Sequence, residues 1–155
     1  MKLKGFSLVE LMLAGALFTL FASGMVEVLL FGLENDRLGE ETTFATAYAS
    51  EGIEAVRSIR AKRFDDLALS DATGIARNDS GDWHFSGNEN TDGKYTRVIV
   101  IGPVNRDGSG DIDEQGGDTD PDTLKVTVTV SWQVTPTRPD SVILQTFLTR
   151  FKPSV

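Results

Sequence analysis

Cysteine is missing from all 155 residues, so disulfides, zinc–thiolate sites, iron–sulfur clusters and thiol nucleophiles are excluded together. Histidine is nearly missing: His84 is the one copy, which rules out a multi-histidine metal site. Proline does not occur before Pro103, so no residue in the first hundred forbids helix by lacking its N–H. Basic residues are outnumbered, 15 lysines and arginines against 23 acids, for a formal net charge of −8. That balance argues against nucleic-acid binding, whose affinity rests on cations that neutralise phosphates. The length suits one small domain.

What is present is uneven. From Leu11 to Val26 no residue is charged, and after Glu27 the apolar character resumes through Val28-Leu29-Leu30-Phe31-Gly32-Leu33. Extended back to Phe6, the stretch matches the ~20 residues a helix needs to cross a bilayer. Lys2 and Lys4 precede it, which places that end in the cytoplasm by the positive-inside rule. Behind Leu33 the chain turns polar, as in a water-soluble domain. An ordinary signal peptide with a cut near Ala22-Ser23-Gly24 and a plain membrane anchor both fit this outline. Both leave Glu10 unexplained, because a carboxylate in an apolar helix costs roughly 2.5–3.5 kcal/mol near the centre and less toward an end.

The run Lys4-Gly5-Phe6-Ser7-Leu8-Val9-Glu10, with the apolar stretch following, resembles the processing signal of type IV pilins and type II secretion pseudopilins. The resemblance implies that a prepilin peptidase cuts after Gly5 and N-methylates Phe6. It also implies that Glu10 pairs with the N-terminal amine of a neighbouring subunit during assembly. An ammonium and a carboxylate, each costly in a dry bundle, become tolerable as a pair and can fix the register between helices. The implied partners are other pilin-like subunits, the peptidase/methylase and an inner-membrane assembly platform. The chain would begin as a single-pass inner-membrane protein with its head outside the cytoplasm, then enter a pilus or periplasmic filament. Many main pilins carry a kinking proline along the stem, and here Glu27 stands in that neighbourhood, which favours a minor pilin or pseudopilin. The resemblance covers residues 1–65, and the segment Tyr48 to Phe64 also looks like minor pilins and I-type pseudopilins.

The implied organisation is a leader at 1–5, a membrane or filament-core helix at 6–33, an amphipathic continuation at 34–67 and a β-rich head at 68–155. One helix from 6 to 64 would be roughly 85–90 Å long. Ala45, Ala49, Ile53, Val56, Ile59 or Arg60, and Phe64 approximate a helical stripe able to lie on a sheet. Glu51, Glu54, Arg57, Arg60 and Arg63 fall mostly opposite, with Glu54 and Arg57 close enough to pair. Gly15, Gly24, Gly32, Gly39 and Gly52 allow close helix approach. Alternatively, Gly32 and Gly39 beside Thr42 and Thr43 mark a stretch that loosens on assembly.

Period-two alternation from Thr123 to Gln133 predicts a strand, with Leu124, Val126, Val128, Val130 and Trp132 on its buried face. A turn at 135–140 leads to a second strand, Ser141 to Phe151. Tyr95 to Ile101 makes a third, joined through Asp92-Gly93 to a fourth at Trp83 to Ser86. Trp83 and Trp132 are expected in the core. The fold class is therefore α+β, a long helix whose second half packs on an antiparallel sheet.

Residues 105–122 carry seven acids against one arginine. Asn105, Asp107, Ser109, Asp111 and Asp113 alternate oxygen side chains around Gly110, with Ile112 as an anchor, like the start of an EF-hand-type calcium loop. Gly116 stands where the bidentate glutamate belongs, so Glu114, Asp118, Asp120 or Asp122 would close the shell. Asp118 completes the expected Ca2+ ligand set; magnesium, with its stricter octahedron, suits it less. The other reading is a solvated acidic loop. His84 reads as a strand or loop residue, no serine sits in a nucleophile elbow and no glycine-rich phosphate loop precedes a helix, so no enzyme activity is expected. Arg57, Arg60, Lys62 and Arg63 read as a solvated face or a subunit contact. The competing function is a secreted or membrane-anchored, calcium-stabilised binding domain.

Overall fold

The computed structural model describes Gly5, residues 7–114 and residues 116–150. Phe6, the first residue of the expected mature chain, lies outside them, as does Phe151. The chain divides into two compact units, Met1–Glu41 and Thr42–Val155. Helix α1, Leu8–Lys62, contributes to both. It ends five residues short of the expected 67, and Phe64–Asp66 forms a separate 3-10 turn instead.

In the first unit the helix is apolar without being buried. Each large apolar side chain from Leu8 to Leu33 is at least 55% exposed. Its two hydroxyls turn back onto the helix: Thr19 Oγ1 donates to the Ala16 carbonyl at 2.8 Å, and Ser23 Oγ to the Leu20 carbonyl at 3.0 Å. A polar group satisfied internally is what hydrocarbon surroundings demand. Polar pairing starts only beyond Leu33, where Arg37 reaches Glu34 at 4.0 Å and Glu41 at 3.1 Å.

The second unit is α+β, with residues 42–62 of α1 lying on an antiparallel sheet. The strands are β1 Ser70–Thr73, β2 Ile75–Arg77, β3 Trp83–Phe85, β4 Asn90–Asp92, β5 Tyr95–Arg106, β6 Asp118–Thr135 and β7 Arg138–Thr149. The main sheet runs β1-β5-β6-β7, with β4 also on β5, while β2 and β3 pair separately. The expected hairpin across Asp92-Gly93 exists, but its first arm is β4. Trp83 to Phe85 pairs with β2 instead, because Gly87 at φ +68 turns the chain between β3 and β4.

Ala45, Ala49, Ile53, Val56 and Ile59 are all buried, as the stripe requires, against Ile99, Ile101, Val126, Val128 and Val130. Phe64 is only half-buried, and Leu67 enters the core instead. Gly52 sits at a close approach of helix and sheet: a Cβ there would lie 3.0 Å from Val128 and 3.1 Å from Arg97. Trp132 is buried, but Trp83 is not a core residue; it is half-exposed with the Arg77 guanidinium 4.1 Å above its ring. The alternation of β6 holds from Val126 to Val134 and slips a residue earlier, where Thr123 rather than Leu124 is buried. The cause is a register shift between Pro103 and Val104, opposite residues 121–123.

Candidate functional site

Two places carry the functional expectations, the apolar stem and the acidic loop. Gly5 precedes the helix and is exposed, and α1 begins with the Leu11 N–H on the Ser7 carbonyl at 3.1 Å. Glu10 stands in the first turn of α1, where an acid complements the helix dipole, and its side chain is exposed. Its neighbours Leu8, Val9, Leu11, Met12 and Leu13 are exposed as well. A window of α1 is long and apolar enough to cross a membrane, and none of that window is buried. Farther along, Gly24 opens a groove on the helix surface between Leu20, Phe21, Met25 and Val28. Phe21, Gly24, Met25 and Val28 hold the i, i+3, i+4, i+7 positions that form a hole for a side chain of a second helix.

The acidic segment is shorter as a loop than its composition suggests. Asn105 and Arg106 end β5, and Asp118 to Asp122 begin β6, so the connection runs from 107 to 117. Asp118 faces Arg106 across the ladder and Thr119 faces Asn105. Within the turn, Asp107 accepts the N–H groups of Ser109 at 2.8 Å and Asp111 at 2.9 Å. The Asp107 N–H in turn donates to the Asp111 carbonyl at 2.9 Å, and Gly110 takes φ +89. Asn105 Oδ1 accepts the Thr119 hydroxyl at 3.0 Å. Asp113 is tied back through its N–H to the Asn105 carbonyl at 2.9 Å. Among the described residues, no three carboxylates or histidines are placed to hold a metal ion together.

The chain's own cations relieve much of the acidic repulsion here. Arg106 reaches Asp120 at 2.7 Å, the Gly110 carbonyl at 2.8 Å and the Thr123 hydroxyl at 3.3 Å. Hydrogen bonds to Asp120 from the Arg106 guanidinium, the Thr123 hydroxyl and the Asp122 N–H hold its carboxyl down to about 2. Lys125 binds Glu114 at 2.7 Å and lowers its pKa, and Arg150 does the same for Asp65, reaching Asp122 as well. These arginine and lysine partners lie 11 to 85 residues away from some of the acids they serve, so composition alone did not reveal them.

The basic residues of the helix end are likewise paired. Arg57 binds Glu54 at 2.6 Å, Lys62 binds Asp82 at 2.5 Å and Arg63 binds Asp66 at 2.8 Å, while Arg60 donates to the Thr149 carbonyl. His84 is exposed on β3, opposite Ala76. Sequence reading missed Arg97, which is buried on the helix-facing side of β5. It donates to the Tyr48 carbonyl at 3.0 Å, Glu51 at 3.1 Å and Asn90 at 3.2 Å, with its guanidinium 4.0 Å from the Tyr48 ring centre. Its alternation with Ile99 and Ile101 was the available signal. No family model, curated protein or solved structure matches the chain.

Proposed function

We propose that the chain is a structural subunit of a type IV pilus or type II secretion-like filament, a minor pilin or pseudopilin, and not an enzyme. The observation that carries this reading is an apolar helix whose large side chains from Leu8 to Leu33 are all exposed, opening on the run Gly5-Phe6-Ser7-Leu8-Val9-Glu10. Burying that surface against lipid first and against neighbouring stems later accounts for both its length and its exposure. On this reading the prepilin peptidase removes residues 1–5 and methylates Phe6, leaving a formal charge of about −10 because two lysines depart. Glu10 then meets the amine of the next subunit, and the acidic heads stay outside, where like charge discourages lateral clumping.

Calcium belongs to the same proposal as a structural ion of the 107–117 turn. The turn from Asp107 to Asp111 supports this in its backbone alone: it is closed by its own amides with glycine at the positive φ, while the described carboxylates do not converge and would have to draw together on binding. Asn105, Asp107, Ser109, Asp111 and Asp113 would supply the oxygens, with Asp118 contributing from the start of β6.

Mass spectrometry of the exported chain tests the central claim. An N-methylated Phe6 terminus is expected. A terminus near Gly24 would mean conventional secretion, and retained Met1 would mean an unprocessed anchor. Glu10→Ala should still be processed yet fail to enter filaments; polymers of normal abundance from that variant would refute the assembly role.

A further inference from the structure

Glu27 is the other carboxylate of the stem, and among the described residues no lysine or arginine pairs with it. Between Lys4 and Arg37 there is no lysine or arginine. Side chains three or four residues away are the ones a helical residue meets, and for Glu27 these are Ser23, Gly24, Leu30 and Phe31. Ser23 is engaged with the Leu20 carbonyl, and Arg37 is held by Glu34 and Glu41.

Length supplies a second observation. The 26 residues from Leu8 to Leu33 span about 39 Å of helix, against roughly 30 Å of bilayer hydrocarbon. An upright helix entering at Leu8 leaves the hydrocarbon near Val28, and only a tilt of about 40°, the upper end of the usual range, would submerge it all. Glu27 and the collar Val28–Leu33 therefore stand at and beyond the boundary, with Val28 74% and Phe31 71% exposed. Neither water nor lipid headgroups suit such a collar.

Direction supplies a third. Glu27 lies 17 residues after Glu10, which turns it about 100° around the axis and about 25 Å along it. A helix packed along the Glu10 side does not also meet Glu27.

We infer that Glu27 and the Val28–Leu33 collar form a docking surface for the membrane helix of a different protein, one carrying a lysine or arginine level with Glu27. Charge complementarity selects this occupant. A second copy would have to slide about 15 Å to bring its Arg37 level with Glu27, and that arginine would leave Glu34 and Glu41. A cation already present at that level on another helix neutralises Glu27 beside the apolar collar and sets the register between the two helices. This inference rests on the filament reading only in placing the stem in a membrane, and it assigns the stem a partner unlike itself.

The test uses the full chain in phosphatidylcholine vesicles, with a donor dye on Asn35→Cys, a label made clean by the lack of native cysteine. The probe is an acceptor-labelled leucine–alanine membrane helix with one lysine level with Glu27; the control helix has leucine there. Energy transfer should reach half-maximum at about fivefold lower density of the lysine helix than of the control. Glu27→Gln should abolish that preference and Glu10→Gln should leave it intact. Equal transfer from the two helices, or a preference that survives Glu27→Gln, overturns the inference. Transfer between donor- and acceptor-labelled copies without any peptide, lost on Arg37→Gln, also overturns it, since the occupant would then be a second copy. Filaments unaffected by Glu10→Ala would remove the assembly role while leaving this lysine preference standing.

Discussion

Truncating Arg97 to alanine should loosen the helix from the sheet more than any surface change in this chain. The side chain is 4% exposed and ties three elements together: Tyr48 and Glu51 on α1, its own strand β5, and Asn90 on β4. Asn90 in turn bonds both the N–H and the carbonyl of Ile75 at 2.9 Å, so the small β2–β3 sheet hangs on the same network. Removing one partner of a fully buried ion pair costs roughly 3–5 kcal/mol. Glu51 is 47% exposed, however, and water can take over its carboxylate, so the ionic share must be discounted. What remains is the charge-assisted hydrogen bond to the half-buried Tyr48 carbonyl, which keeps its helical N–H, about 1.5–3 kcal/mol, and the lost stacking on Tyr48, about 1 kcal/mol. A destabilisation of about 2–4 kcal/mol follows, or a Tm about 8–16 °C lower for a unit of this size. Arg97→Met keeps the packing, removes an Nε that is buried without a partner, and should cost about half as much. Thermal melts of the full chain in detergent, followed by near-ultraviolet circular dichroism of Tyr48, Tyr95 and Trp132, would show it. An Arg97→Ala protein melting within about 2 °C of the parent would refute the reasoning, because the network would then contribute nothing beyond what water supplies.

Two glycines of the same helix should respond with opposite signs. Gly39→Ala meets nothing within 4 Å and should stabilise by up to about 1 kcal/mol, whereas Gly52→Ala presses on fully buried Val128 and locked Arg97 and should lower Tm. Gly117→Ala should lower Tm further, because its φ is +77 and the new Cβ would collide with the Arg106 carbonyl. Acid should weaken the head through Asp120. Its carboxyl is depressed from the ordinary range to about 2, so its stabilisation is complete above about pH 4 and fades as pH falls toward 2. Asp120→Asn should flatten the Tm profile across that window, and an unchanged slope would count against the Arg106–Asp120 pairing. Calcium at millimolar concentration should raise the Tm of the parent and not of an Asp107→Ala, Asp111→Ala double variant, as read by melts with and without chelator.

Periodicity by itself determined the stripe from Ala45 to Ile59 and the central strand, because side chains three to four or two apart must share a face, while the helix end at Lys62 fell short of the expected 67. The uncovered stem with its two carboxylates was legible for the same reason: charge and apolar runs are properties of the chain, not of its folding. The acidic segment was not legible in that way. Asp118, Asp120 and Asp122 read as loop residues able to close a calcium shell, yet they lie in β6 because Arg106 and Arg150, brought there by strand pairing, compensate Asp120 and Asp122 while β5 holds the backbone of Asp118. The choice of β4 over β3 as the partner of β5, and the burial of Arg97 in place of Trp83, were also tertiary decisions. Each turns on which groups meet across more than a few residues of sequence, and local pattern holds no record of such meetings.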